Sequence, residues 1–98
     1  MLGSMDGKAA DRDDADSRVI ANFFDADGRL KRIPAREGHR LVVMTLVAER
    51  FERGRDYSDA EVRSILSAVN EDHALMRRFL VDRGLLVRDA RGTRYRRP

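Results

Sequence analysis

Chemistry in this chain can come from arginine. Of the twenty basic residues only Lys8 and Lys31 are lysine. A guanidinium is always charged and presents a planar fork of donors that fits a phosphate or the edge of a guanine. Two arginine groups lie close together in the second half of the sequence. Arg77 and Arg78 are adjacent in "HALMRRFLVDR", and Arg91, Arg94, Arg96 and Arg97 crowd the closing stretch "DARGTRYRRP". A third basic group, Lys31, Arg32, Arg36 and Arg40, lies earlier. Read as an interface with double-stranded DNA, Arg77 or Arg78 would meet a base edge, with His73 beside them. Arg91, Arg94, Arg96 and Arg97 would hold phosphates, and the third group would add further anion contacts near a helix start.

Other chemistries have less to build on. His39 and His73 are the only histidines, lie far apart in the sequence, and have no cysteine to join in a metal or nucleophile site. The glycines stand singly at turns and form no phosphate loop. "DADG" echoes a calcium loop, but aligning Gly28 with that loop's fixed glycine puts Phe23 and Pro34 at the first and last ligand positions, and neither side chain binds calcium. No nucleophile, base and orienting group can be assembled, so the chain reads as neither an enzyme nor a cofactor protein.

The elements that must carry these arginines follow from spacing. Asp16 or Ser17 can cap a short helix, "RVIANFF", with Val19, Ile20, Phe23 and Phe24 on one face. "RLKRI" reads as a short strand ended by Pro34. A long buried helix is expected from Arg36 to Phe51, stopped by Gly54. Ser58 and Glu61 form a capping box ahead of a helix with Val62, Ile65, Leu66 and Val69 inward. Asn70 then caps a second helix, through Arg83, with Leu75, Met76, Phe79 and Leu80 inward and Gly84 at its C-terminus. Its outward face would show His73, Ala74, Arg77, Arg78 and Val81. About three residues join the two helices, which forces a helix–turn–helix corner. The last segment reads as a hairpin around Asp89–Gly92, with Arg88 opposite Thr93 and Leu86 opposite Tyr95. The expected fold is α+β: a winged helix-turn-helix with an extra N-terminal helix and a small three-stranded antiparallel sheet, the third strand being the one that contains Leu30.

Length and composition agree with one domain. The chain has 98 residues, 42% of them hydrophobic, and no cysteine. That fits a reducing, cytoplasmic setting, and no apolar run is long enough to cross a membrane. Residues 1–16 hold Lys8 and Arg12 against five aspartates, a net −3, so the remainder carries +6. The acidic start, with "MLGSM" resembling a cloning remnant, is expected to be disordered, and residues 17–98 to form the domain.

The stretches "FFDADGRLKRIPA", "RLVVMTLVAERFERGRDYSDAEV" and "MRRFLVDRGLLVRD…RYRR" resemble a bacterial family known as domain of unknown function 2087. The resemblance rests on Phe24, Gly28, Pro34, Phe51, Tyr57 with Glu61 and Val62, and Arg77 with Arg78, and covers residues 19–97. Members of that family occur alone or behind helix–turn–helix regulators of the ArsR type, which implies a link to transcriptional control. It implies no activity and no catalytic residues. A second reading therefore stands beside DNA binding: a module that docks a regulatory protein or a second copy of itself, with the helix at Val19–Phe24 or the exposed Ala74 and Val81 as contacts.

Overall fold

The computed structural model describes residues 15–98; the cloning remnant and the first fourteen residues of the segment expected to be disordered lie outside them, whereas its last two, Ala15 and Asp16, are helical. Helix α1 covers residues 15–23, so Asp16 and Ser17 lie within it rather than at its cap. The other elements are α2 (Glu37–Ala48), β1 (Asp56–Ser58), α3 (Asp59–Ser67), α4 (His73–Asp82), β2 (Val87–Arg88) and β3 (Arg94–Arg96). Among the described residues the fold is α+β, with four helices and one antiparallel sheet in the order β1-β3-β2. Helix, strand, helix–turn–helix and hairpin succeed one another as in a winged helix.

Helix α2 supplies the core with Val43, Met44, Val47 and Ala48, spaced so that one face is fully covered. Its opposite face is open, with Leu41 and Thr45 exposed, so it is half-buried rather than enclosed. It also stops before Phe51. The N–H groups of Glu49, Arg50 and Phe51 each bond the carbonyl three residues back, which tightens the chain and swings Phe51 into the core. There the Phe51 ring meets the edge of Tyr57 at 5.1 Å between centroids. The Tyr57 hydroxyl accepts from the Glu52 N–H at 2.7 Å, locking the turn into β1. Gly54 belongs to this turn, not to the helix end: its N–H donates to the Arg97 carbonyl.

The capping box forms as expected. Ser58 Oγ accepts from the Glu61 N–H at 3.1 Å, and the Glu61 carboxylate accepts from the Ser58 N–H at 2.9 Å. Val62, Leu66 and Val69 are buried, with Ile65 at the edge of the core. Helix α4 ends in a Schellman motif at Gly84, whose φ of 73° needs no Cβ. Leu85 N–H reaches the Leu80 carbonyl at 2.8 Å and Gly84 N–H the Val81 carbonyl at 3.1 Å.

Three expectations are corrected. The Leu30 segment is not a strand of the sheet. It makes one bridge to Phe24, its N–H donates to the Val69 carbonyl at 2.8 Å, and its carbonyl accepts from Asn70 Nδ2 at 2.7 Å. Those bonds pin it to the end of α3, and the third strand is β1. Asn70 accordingly does not cap α4. Its Oδ1 accepts from the Asp72 N–H in the turn, and Asp72 occupies the cap position without a side-chain bond. Within α4 only Met76 and Leu80 are fully buried, whereas Leu75 is 43% exposed and Val81 packs against the core.

Candidate nucleic-acid interface

The hairpin of β2 and β3 pairs Val87 with Arg96 and Arg88 with Tyr95, two residues away from the expected register. The cause is Asp89. Its Oδ1 accepts from the Thr93 N–H at 2.8 Å and the Arg94 N–H at 3.2 Å, and its N–H bonds the Arg94 carbonyl at 2.9 Å. This closes a longer loop than the simple turn would. Because the shift is even, every side chain keeps its face. Tyr95 still points to the core beside Leu86, and Arg94 and Arg96 still point to solvent. Gly92 completes the loop at φ 71°, with the Arg88 guanidinium lying where a Cβ would be. The Asp89 carboxyl sits below its ordinary value, chiefly because the Arg94 N–H donates to it, with Thr93 and Gly92 adding to the effect. The wing is thus a preorganised loop, fixed by a carboxylate bonded to its own backbone.

Three guanidinium groups on this wing, Arg88, Arg91 and Arg94, are exposed and make no side-chain hydrogen bond or ion pair among the described residues. Arg88 was not among the expected contacts. Its signal was its place immediately before the turn aspartate, which puts it at the loop's rim.

The remaining expected contacts separate. Arg77 does not face outward: its Nη1 lies 3.0 Å from Asp59 Oδ1, with its side chain only 33% exposed. The Tyr95 hydroxyl donates to the same oxygen at 3.3 Å, so Asp59 ties α3, α4 and β3 together. Arg78 is outward, paired loosely with Asp82 at 3.9 Å. His73 is half-buried. Arg96 is held by Asp56 at 2.8 Å, and Arg97 donates to the Phe51 carbonyl at 3.1 Å. Arg40 folds back on the carbonyls of Pro34 and Ala35 at 2.9 and 2.8 Å. It and Arg83 lie over Phe79, 5.6 and 5.4 Å from the ring centroid. Lys31, Arg32 and Arg36 are exposed, with Arg32 over the Phe23 ring at 5.0 Å.

Much of the arginine is structural, which the sequence did not reveal. Arg29 donates to the carbonyls of Ser67 and Ala68, at the negative end of α3. Arg50 donates to Gly28 at 2.7 Å, and Arg53 to Pro98 at 2.6 Å. These long side chains close loops by reaching backbone oxygens that no helix or strand satisfies.

The outward face of α4, where a winged helix would read bases, shows Ala74, Leu75, Arg78 and Asp82, with Glu71 and Asp72 at its start. Three carboxylates against one arginine suit a base-reading surface poorly.

No curated protein and no solved structure matches the chain. A family model does, over residues 29–97, and its description is an uncharacterized protein conserved in bacteria. The match includes Pro34, Phe51, Tyr57, Glu61, Val62, Arg77 and Arg78, while α1, Phe24 and Gly28 precede it. On the strength of that match, the chain belongs to the bacterial family DUF2087.

Proposed function

We propose that this domain binds nucleic acid, with duplex DNA as the preferred form, by gripping the phosphate backbone with its arginine wing, and that it serves bacterial gene control in that way. One observation carries the reading. Arg91 and Arg94 are exposed on this loop and Arg88 lies beside them, folded against Gly92. Among the described residues none of the three makes a side-chain hydrogen bond or salt bridge, though Arg94 lies near enough to Glu61 to lower the pKa of its carboxyl, while most other arginines are engaged by carboxylates or carbonyls. Unpaired guanidinium groups on a preorganised loop bind phosphate without first breaking an ion pair.

The contact is with the backbone rather than with base edges. Arg77 is committed to Asp59, and the open face of α4 repels phosphates through Glu71, Asp72 and Asp82. Binding is therefore weakly selective for sequence and strongly dependent on salt.

Titrating a labelled duplex of about 20 base pairs at several salt concentrations tests this. Three phosphate contacts give a slope of log affinity against log salt near −3, since each contributes about −0.9. Replacing Arg88, Arg91 or Arg94 singly with alanine should reduce the slope by about one contact each, equally on A·T-rich and G·C-rich duplexes. Absence of binding at low salt, or slopes that ignore all three replacements, would overturn the proposal.

A further inference from the structure

We propose that the outward face of α4 is a self-association surface, on which a second copy of this chain packs its own α4 antiparallel about a two-fold axis.

The outward face of α4 carries apolar residues in solvent. Leu75 is 43% exposed, and Ala74 beside it is also open. Around this small apolar centre the charges are ordered. Glu71 and Asp72 lie at the N-terminal end, Arg78 lies beyond the centre, and Asp82 lies at the C-terminal end. Arg78 reaches Asp82 only at 3.9 Å, with the two side chains 82% and 68% exposed, so that pair can open readily.

Spacing then selects the occupant. Glu71 and Arg78 are seven residues apart, and their midpoint falls between Ala74 and Leu75. Arg78 stands about 5 Å from that midpoint along the helix axis at 1.5 Å per residue, and Glu71 lies in the turn just before the helix begins. A two-fold axis through the midpoint brings Arg78 of each copy against Glu71 of the other, twice over, with Ala74 and Leu75 in the middle. A parallel arrangement would set like against like at both ends. The small Ala74 lets the helices approach closely. Asp82 of each copy then runs past the start of the other α4. There a groove of about 640 Å³ opens, lined by Arg29, Lys31 and Arg32 but also by Asp25, Glu71 and Asp72, with Leu75 at its edge. Glu71 and Arg78 thus each meet an opposite charge, a pairing that neither a phosphate backbone nor a parallel partner supplies.

A ten-residue helix and one groove wall make a small interface, at the low end of specific contacts, so association is weak and concentration-dependent. The inference does not rest on the wing, and replacing Arg91 should leave association unchanged.

Sedimentation of the full chain from about 10 µM to about 1 mM reads the result. The chain should move from monomer toward dimer across that range. Leu75→Asp, Glu71→Arg and Arg78→Glu should each weaken the dimer about tenfold or more, because every reversal acts at both symmetric pairs. The double variant Glu71→Arg with Arg78→Glu should restore it to within about threefold. Thermal melts of each variant establish that it is folded, and Leu75, being exposed, tolerates the change. A monomer throughout would overturn the proposal. So would a dimer that ignores Leu75→Asp or is not restored by the double reversal. If Glu71→Arg tightens duplex binding and leaves sedimentation unaltered, nucleic acid is the occupant of this face and the proposal fails.

Discussion

Replacing Arg77 with alanine separates a structural arginine from a base-reading one. Its guanidinium donates to Asp59 at 3.0 Å, and the two side chains are 33% and 46% exposed. A hydrogen bond to a charged group contributes about 1.5–3 kcal/mol when shielded, and an exposed pair about 0.2–1 kcal/mol. With a third to a half of each group in water, the pair falls between these limits, at about 1 kcal/mol. Asp59 is not stranded by the change. It keeps the Tyr95 hydroxyl at 3.3 Å and sits in the first turn of α3, where the helix dipole favours a carboxylate. A domain of this size loses about 4–8 °C in Tm per kcal/mol, so Arg77→Ala should melt about 5 °C lower. Asp59→Ala should show a larger loss, since it also removes the acceptor of the Tyr95 hydroxyl and a carboxylate at the start of α3, and the double variant should lose less than the sum, with a coupling of about 0.5–1 kcal/mol. Calorimetry measures these quantities, and anisotropy with the labelled duplex should give an affinity for Arg77→Ala within about twofold of the original protein. An unchanged Tm together with a tenfold loss of duplex affinity would refute the assignment of Arg77 to the scaffold.

Two further outcomes follow from the packing and the carboxylates. Leu80 is fully buried and Leu75 is not, so Leu80→Ala should cost about 2–5 kcal/mol in denaturant unfolding and Leu75→Ala much less, although one helix carries both. Equal losses would show that α4 packs differently. Glu61 and Asp89 both titrate below their ordinary values, Glu61 chiefly through the Ser58 N–H and Asp89 chiefly through the Arg94 N–H. A lowered carboxyl contributes stability that is complete above its unfolded pKa, near 4, and is lost as pH falls through the folded value. Melting temperature should therefore be flat with respect to these groups near neutrality and fall below about pH 4, and Asp89→Asn should remove part of that acid dependence while loosening the wing, as read by amide exchange at Thr93 and Arg94.

Short-range signals along the chain set the local grammar of this protein. Ser58 with Glu61 can start a helix in only one place, Gly84 ends one because its backbone turns left-handed, and Asp89 with Gly92 closes a hairpin. These signals act within a few residues, so they are legible without the fold. Tertiary structure decided which side chains meet across the chain, and the functional surface depends on that. Apolar spacing could not show that Leu75 faces water while Val81 packs inward, because a stripe of apolar residues wider than the core leaves its edges to whichever neighbour arrives. Nor could it show that Leu30 would bond to the end of α3 while Asp56–Ser58 took the strand position. Arginine was the least readable residue of all. The same guanidinium seals a carbonyl, pairs with a carboxylate or stands free for a ligand, and the choice depends on acceptors up to 46 residues away in the sequence. Arg77 and Arg91 look alike in the chain; only the folded backbone sets one beside Asp59 and leaves the other in solvent.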